Sequence, residues 1–155
     1  MMQMPPPTAE HNWLQALAGT WTAEETMHPS PWDPKGGTAA GKVTSRMDLD
    51  GFWLLTDYTQ ARGGQITYRG HGVFGWDPAA HCYLMYWFDS MGSVVMSPAR
   101  GRLDGKRLVF AQESPMGHSR YTYDVQADGR YHFSIEHSRD GKAWTSFMEG
   151  TYRRA

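Results

Sequence analysis

From Gly19 onward, short runs rich in aromatic and β-branched residues alternate with turns built from Gly, Asp and Pro. The turns read Asp48-Leu49-Asp50-Gly51, Arg62-Gly63-Gly64, Trp76-Asp77-Pro78, Asp89-Ser90-Met91-Gly92, Asp104-Gly105, Pro115-Met116-Gly117, Asp128-Gly129 and Asp140-Gly141. Asp-Gly favours hairpins because both residues tolerate the positive φ of a type I′ turn. A succession of hairpins with no helical stretch between them predicts an antiparallel meander that closes on itself.

The expected fold is all-β: a ten-stranded up-and-down barrel. Its strands fall at Gly19–Met27, Lys42–Met47, Phe52–Gln60, Ile66–Phe74, Cys82–Phe88, Val94–Arg102, Arg107–Gln112, Arg120–Val125, Arg130–Ser138 and Trp144–Tyr152. Ten strands in simple order enclose more volume than a small barrel fills with side chains, so a lumen for a small ligand is expected. Before them, Thr8 is placed to cap a short helix over Ala9–Ala18, with Gly19 at its C′ position and Trp13, Leu14 and Leu17 on one face. Residues 1–7, rich in Pro, read as a flexible tail. Residues 8–155 read as one domain, since 155 residues suit a single core.

Composition narrows the partners. The formal net charge is −1 and no Lys/Arg run appears, so no field recruits nucleic acid or an anionic membrane. No apolar run approaches the ~20 residues of a membrane helix, and the N-terminus lacks the pattern of a secretory signal. Cys82 is the single cysteine, which fits a reducing compartment and a cytoplasmic location. The run Tyr83-Leu84-Met85-Tyr86-Trp87-Phe88 is apolar on both faces of its strand. A second dry surface outside the barrel is therefore expected, and with it a homodimer.

Gly19-Thr20-Trp21, between the helix and the first strand, resembles the Gly-x-Trp signature of lipocalin and calycin barrels. There the indole plugs the barrel base under a basic residue of the last strand, a part open here to Arg153 or Arg154. A wider resemblance is carried by Gly75-Trp76-Asp77-Pro78, by Trp87-Phe88-Asp89-Ser90-Met91-Gly92, by Arg120 as a later arginine, and by Tyr152 and Arg154 at the close. With these residues the chain resembles a bacterial family of lipocalin-like barrels, domain of unknown function 1579. The resemblance implies the fold and carries no activity.

The function expected of such a container is non-enzymatic binding of a small apolar or amphipathic molecule. Trp53, Tyr58 and Trp87 are the candidate aromatic wall. Trp87 and Asp89 lie two apart and share a face. Arg120, reaching Asp89 from another strand, would present a guanidinium to an anionic ligand group. Alternatively Asp89 caps its own turn and Arg120 makes a surface ion pair. Glu136 is a further ligand-site candidate. His132 and Glu136 share a face, yet four residues of strand separate their Cβ atoms by about 13 Å, too far for a direct acid–base pair.

None of the seven histidines shows metal-binding spacing, so no metal site is expected. No catalytic constellation and no required cofactor are identified. An alternative is a haem barrel of the nitrobindin type, which shares the Gly-x-Trp start; His137 would be its axial ligand. A small hydrolase or isomerase using Asp89, Glu136 or a histidine in the lumen is a further alternative. So is a structural or interaction module with a filled barrel. Gly70-His71-Gly72-Val73-Phe74-Gly75 matches a dinucleotide fingerprint in letters only, since a turn and not a helix follows.

Overall fold

A computed structural model describes residues 3–155. Of the tail expected over residues 1–7, residues 1 and 2 lie outside the described residues, and 3–7 carry no regular secondary structure. Helix α1 (Ala9–Trp13) continues as a 3-10 turn over Leu14–Leu17. Ten strands follow: β1 (Gly19–Met27), β2 (Gly37–Asp48), β3 (Trp53–Arg62), β4 (Gln65–Asp77), β5 (Cys82–Asp89), β6 (Ala99–Asp104), β7 (Arg107–Ser114), β8 (Gly117–Val125), β9 (Tyr131–Ser138) and β10 (Thr145–Arg154). Each pairs antiparallel with its sequence neighbour, and β10 closes on β1. The meander is thus a closed, lipocalin-like barrel.

The alternation that builds it is plain in β1. Trp21, Glu25 and Met27 are buried, while Thr20, Thr22, Glu24 and Thr26 are exposed. Period two puts one set in the lumen and the other in water. Departures from the expected strands have local causes. β6 starts at Ala99 and not at Val94, because Pro98 lacks the N–H a ladder needs. Val94 and Met96 are consequently on an exposed loop. β4 runs on to Asp77, so the turn begins at Pro78, with Asp77 Oδ1 accepting the Ala79 N–H at 3.0 Å.

The helical segment closes one end. Leu14 and Leu17 are buried in the core, and the Tyr83 hydroxyl donates to the Glu10 carbonyl at 2.8 Å. Trp21 is fully buried beneath it, donating Nε1–H to the Leu17 carbonyl at 3.1 Å. Of the two candidate arginines, Arg154 covers the indole, 4.3 Å from the ring centroid, and donates to the Ala18 carbonyl at 3.2 Å. A cation over an indole contributes about 0.5–2 kcal/mol, more as it is desolvated. The Arg154 guanidinium fills the space a side chain at Gly19 would need. Gly-x-Trp and the last strand therefore form one lock at the base.

The opposite end is open, and apolar side chains gather there. Trp32, Ile66, Met91, Val94, Met96 and Met116 are all exposed on or beside its loops. Outside the barrel, Leu55, Val73 and Tyr86 stand in register across β3, β4 and β5. Among the described residues no helix is long and apolar enough to cross a membrane.

Candidate functional site

The lumen is not filled. A cavity of about 360 Å³ runs from Leu17 near the base to Met91 and Phe147 at the mouth. Its wall is largely aromatic and aliphatic, and no lysine or arginine lines it.

One side of the wall rests on a buried carboxyl group. Glu25 is fully buried, inward on β1 between Ala23 and Met27. Tyr58 Oη donates to it at 2.7 Å, Gln60 Nε2 donates at 3.0 Å, and Tyr152 Oη donates as well. Three donors from β3 and β10 satisfy a group that would otherwise cost several kcal/mol to bury. Burial first, and then the charge of Glu25, hold the Tyr58 and Tyr152 hydroxyls far above the ordinary tyrosine value. Both stay protonated and remain donors. Glu25 was absent from the residues expected at the site. Its signal was available: in Trp21-x-Ala23-x-Glu25-x-Met27 it is the one charged residue on the inward face.

The upper wall is a hydrogen-bonded chain. Trp87 Nε1 donates to Tyr68 Oη at 2.8 Å, and Tyr68 Oη donates to Asp89 Oδ2 at 2.9 Å. Asp89 Oδ1 accepts the Met91 N–H at 3.0 Å, so this carboxylate caps its own turn as well as facing the lumen. The Trp87 indole lies against β4 where glycine permits it. A Cβ at Gly72 would stand 3.0 Å from the indole Cε3, and one at Gly70 would overlap the ring. The strand glycines exist for close approach of an aromatic ring. Burial pushes the Tyr68 hydroxyl above its ordinary value, which keeps it a donor to Asp89.

Tyr58, Trp87, Asp89 and His137 line the cavity. Trp53, Arg120 and Glu136 do not. Trp53 lies five residues from Tyr58 on the same strand, and an odd separation sends the two to opposite faces. It packs outside, over Gly75. Arg120 neighbours Tyr121, which lines the lumen, and so points outward. There it stands opposite Glu136 in register and donates twice to it, at 2.7 and 3.0 Å. The guanidinium also lies 4.0 Å from the Trp144 ring centroid. The expected Asp89–Arg120 contact is not formed; the surface ion pair is.

His137 Nδ1 shares a hydrogen bond with Ser119 Oγ at 2.8 Å, and its ring packs edge-on against Trp32. Burial lowers its pKa below the ordinary histidine value. His132 bonds to Thr151 and not to Glu136. Among the described residues no group of three or more His, Cys, Asp or Glu side chains is gathered to hold a metal.

A family model described as Protein of unknown function (DUF1579) matches residues 6–154. No curated protein matches the chain. Among solved structures, the crystal structure of Rv2717c from M. tuberculosis is similar, with a TM-score of 0.68 and 11% identity over 96% of this chain and 98% of that one. At that identity the likeness is one of fold.

Proposed function

Since this chain belongs to the DUF1579 family and folds as a lipocalin-like barrel, we propose that it binds a small apolar or amphipathic molecule in its lumen. The observation that carries the reading is the cavity of about 360 Å³, apolar in its walls and open at one end. Removing a small apolar molecule from water into such a space is favourable by about 25 cal/mol per Å² buried. Tyr58, Trp87 and Asp89 are among the residues of the wall that combine contact area with polar groups. Arg120 has no part in it.

The test is titration with the neutral fluorophore N-phenyl-1-naphthylamine, beside native mass spectrometry of the purified protein. Saturable binding in the wild type, lost when Ile135→Trp fills the mouth, supports the reading. No binding, or binding indifferent to Ile135→Trp, overturns it.

A second reading is haem held through His137. It is favoured by that ring lining the cavity with Nδ1 already engaged by Ser119, the kind of second bond that orients a ligating histidine. A Soret band on haem addition, lost in His137→Ala, is its expected signature. A homodimer through the outer face of β3–β5 is supported by the Leu55, Val73 and Tyr86 stripe and by half-exposed Phe88. Sedimentation as a monomer at high concentration would count against it.

A further inference from the structure

The lumen holds one carboxylate at its mouth and no cationic side chain to balance it. Asp89 has no ion-pair partner among the described residues, and neither lysine nor arginine lines the cavity. We infer that the lumen selects amphiphiles whose head group is a protonated amine, held at Asp89 with the apolar body below it. This rests on the reading of the lumen as a ligand site and names the class of ligand.

Three features support it. First, Asp89 is already positioned. Tyr68 Oη and the Met91 N–H each bind one carboxylate oxygen, and Trp87 fixes Tyr68 in turn. Each oxygen retains a lone pair for a further donor, so an ammonium group meets an acceptor that needs no rearrangement. Second, the same part of the wall is aromatic. Trp87, Tyr68 and Tyr121 line the cavity with Asp89, and ring faces attract a cation where a carboxylate would be repelled. Third, an anionic head would find no cationic side chain in the lumen. The one guanidinium expected in the lumen, that of Arg120, is turned outward and bound to Glu136. Burial disfavours the charged form of His137. The donors on Tyr58, Gln60 and Tyr152 are committed to Glu25. Burying a charge without partners is strongly unfavourable.

Displacement of N-phenyl-1-naphthylamine at pH 7 by three matched probes, decylamine, decanol and decanoate, tests the inference. Decylamine is expected to bind about tenfold or more tighter than decanol, as a hydrogen bond to a charged group implies, with decanoate weakest. Asp89→Asn is expected to abolish the advantage of the amine over decanol. Decanoate binding as well as decylamine overturns the head-group assignment while lumen binding stands. An amine preference that survives Asp89→Asn overturns the role of Asp89. If the fluorophore binds but none of the probes displaces it, the head-group inference falls while the lumen reading, which rests on the fluorophore itself, stands. Should Asp89→Asn also lose decanol, the wild-type order of the three probes decides alone.

Discussion

The carboxyl group of Glu25 occupies the space that a side chain at Gly41 would need. A Cβ there would stand 2.5 Å from Glu25 Oε2 and 2.9 Å from the Tyr152 hydroxyl. Glycine at 41 is a packing requirement of the buried polar cluster, one strand away from the residue it serves.

Gly41→Ala is therefore expected to destabilise the barrel by about 1–3 kcal/mol, the usual cost of overpacking a filled site. Urea denaturation measures it. A stability equal to the wild type would mean that the cluster shifts freely. Gly63→Ala, with open space around it but a φ of +58°, tests backbone strain without overpacking.

Glu25→Ala leaves the buried Tyr58 and Tyr152 hydroxyls without their acceptor and removes one partner of Gln60. Each orphaned group costs about 1–3 kcal/mol, so the loss should reach several kcal/mol. Glu25→Gln keeps an acceptor oxygen but adds an NH₂ facing Tyr152 and Tyr58, and should fall between wild type and alanine. Equilibrium unfolding of the three proteins gives the order; alanine matching wild type would contradict it.

Arg120→Ala is expected to leave ligand binding unchanged and to cost about 1 kcal/mol or less. The pair it forms with Glu136 is about one-third exposed on the arginine side and screened by solvent. The packing of the guanidinium on Trp144 adds to the loss. A tenfold weaker affinity for any lumen probe would place Arg120 back in the site.

Stability should fall as the pH drops below about 6.5, the ordinary histidine value. His137 has a lowered pKa in the fold because burial disfavours its charged form. Between the two pKa values the unfolded chain holds the extra proton, so acid favours unfolding. Glu136 adds a second loss at lower pH. Its hydrogen bonds to Arg120 lower its pKa, and that stabilisation disappears as pH falls from its ordinary value through the depressed one. Thermal melts from pH 8 to pH 4 are the measurement. Replacing His137 by Gln should flatten the upper part of the curve, and a curve unchanged by that substitution would remove the histidine as its cause.

Much of the architecture is legible in the chain. Asp-Gly turns and period-two alternation are local signals, and they locate ten strands and one helix. Gly19, Trp21 and Arg154 join across the closure as the Gly-x-Trp resemblance implies. The site is legible only in part. In β5 both faces are apolar, so alternation does not reveal that Tyr83, Met85 and Trp87 point inward. That parity, carried across the register, decides that Tyr121 lines the lumen and Arg120 does not. Trp53 shows the same failure from the other side: aromatic content suggested a wall residue, and parity with Tyr58 sends it outside.

The strands, their turns and the order in which they pair can be read along the chain, because hairpins are built between neighbours. Which side chains meet in the lumen depends on closure of the barrel. Glu25 lies 33 residues from Tyr58 and 127 from Tyr152, and barrel closure alone brings them together. A buried carboxyl group must find its donors wherever the fold supplies them, and no local pattern encodes that distance.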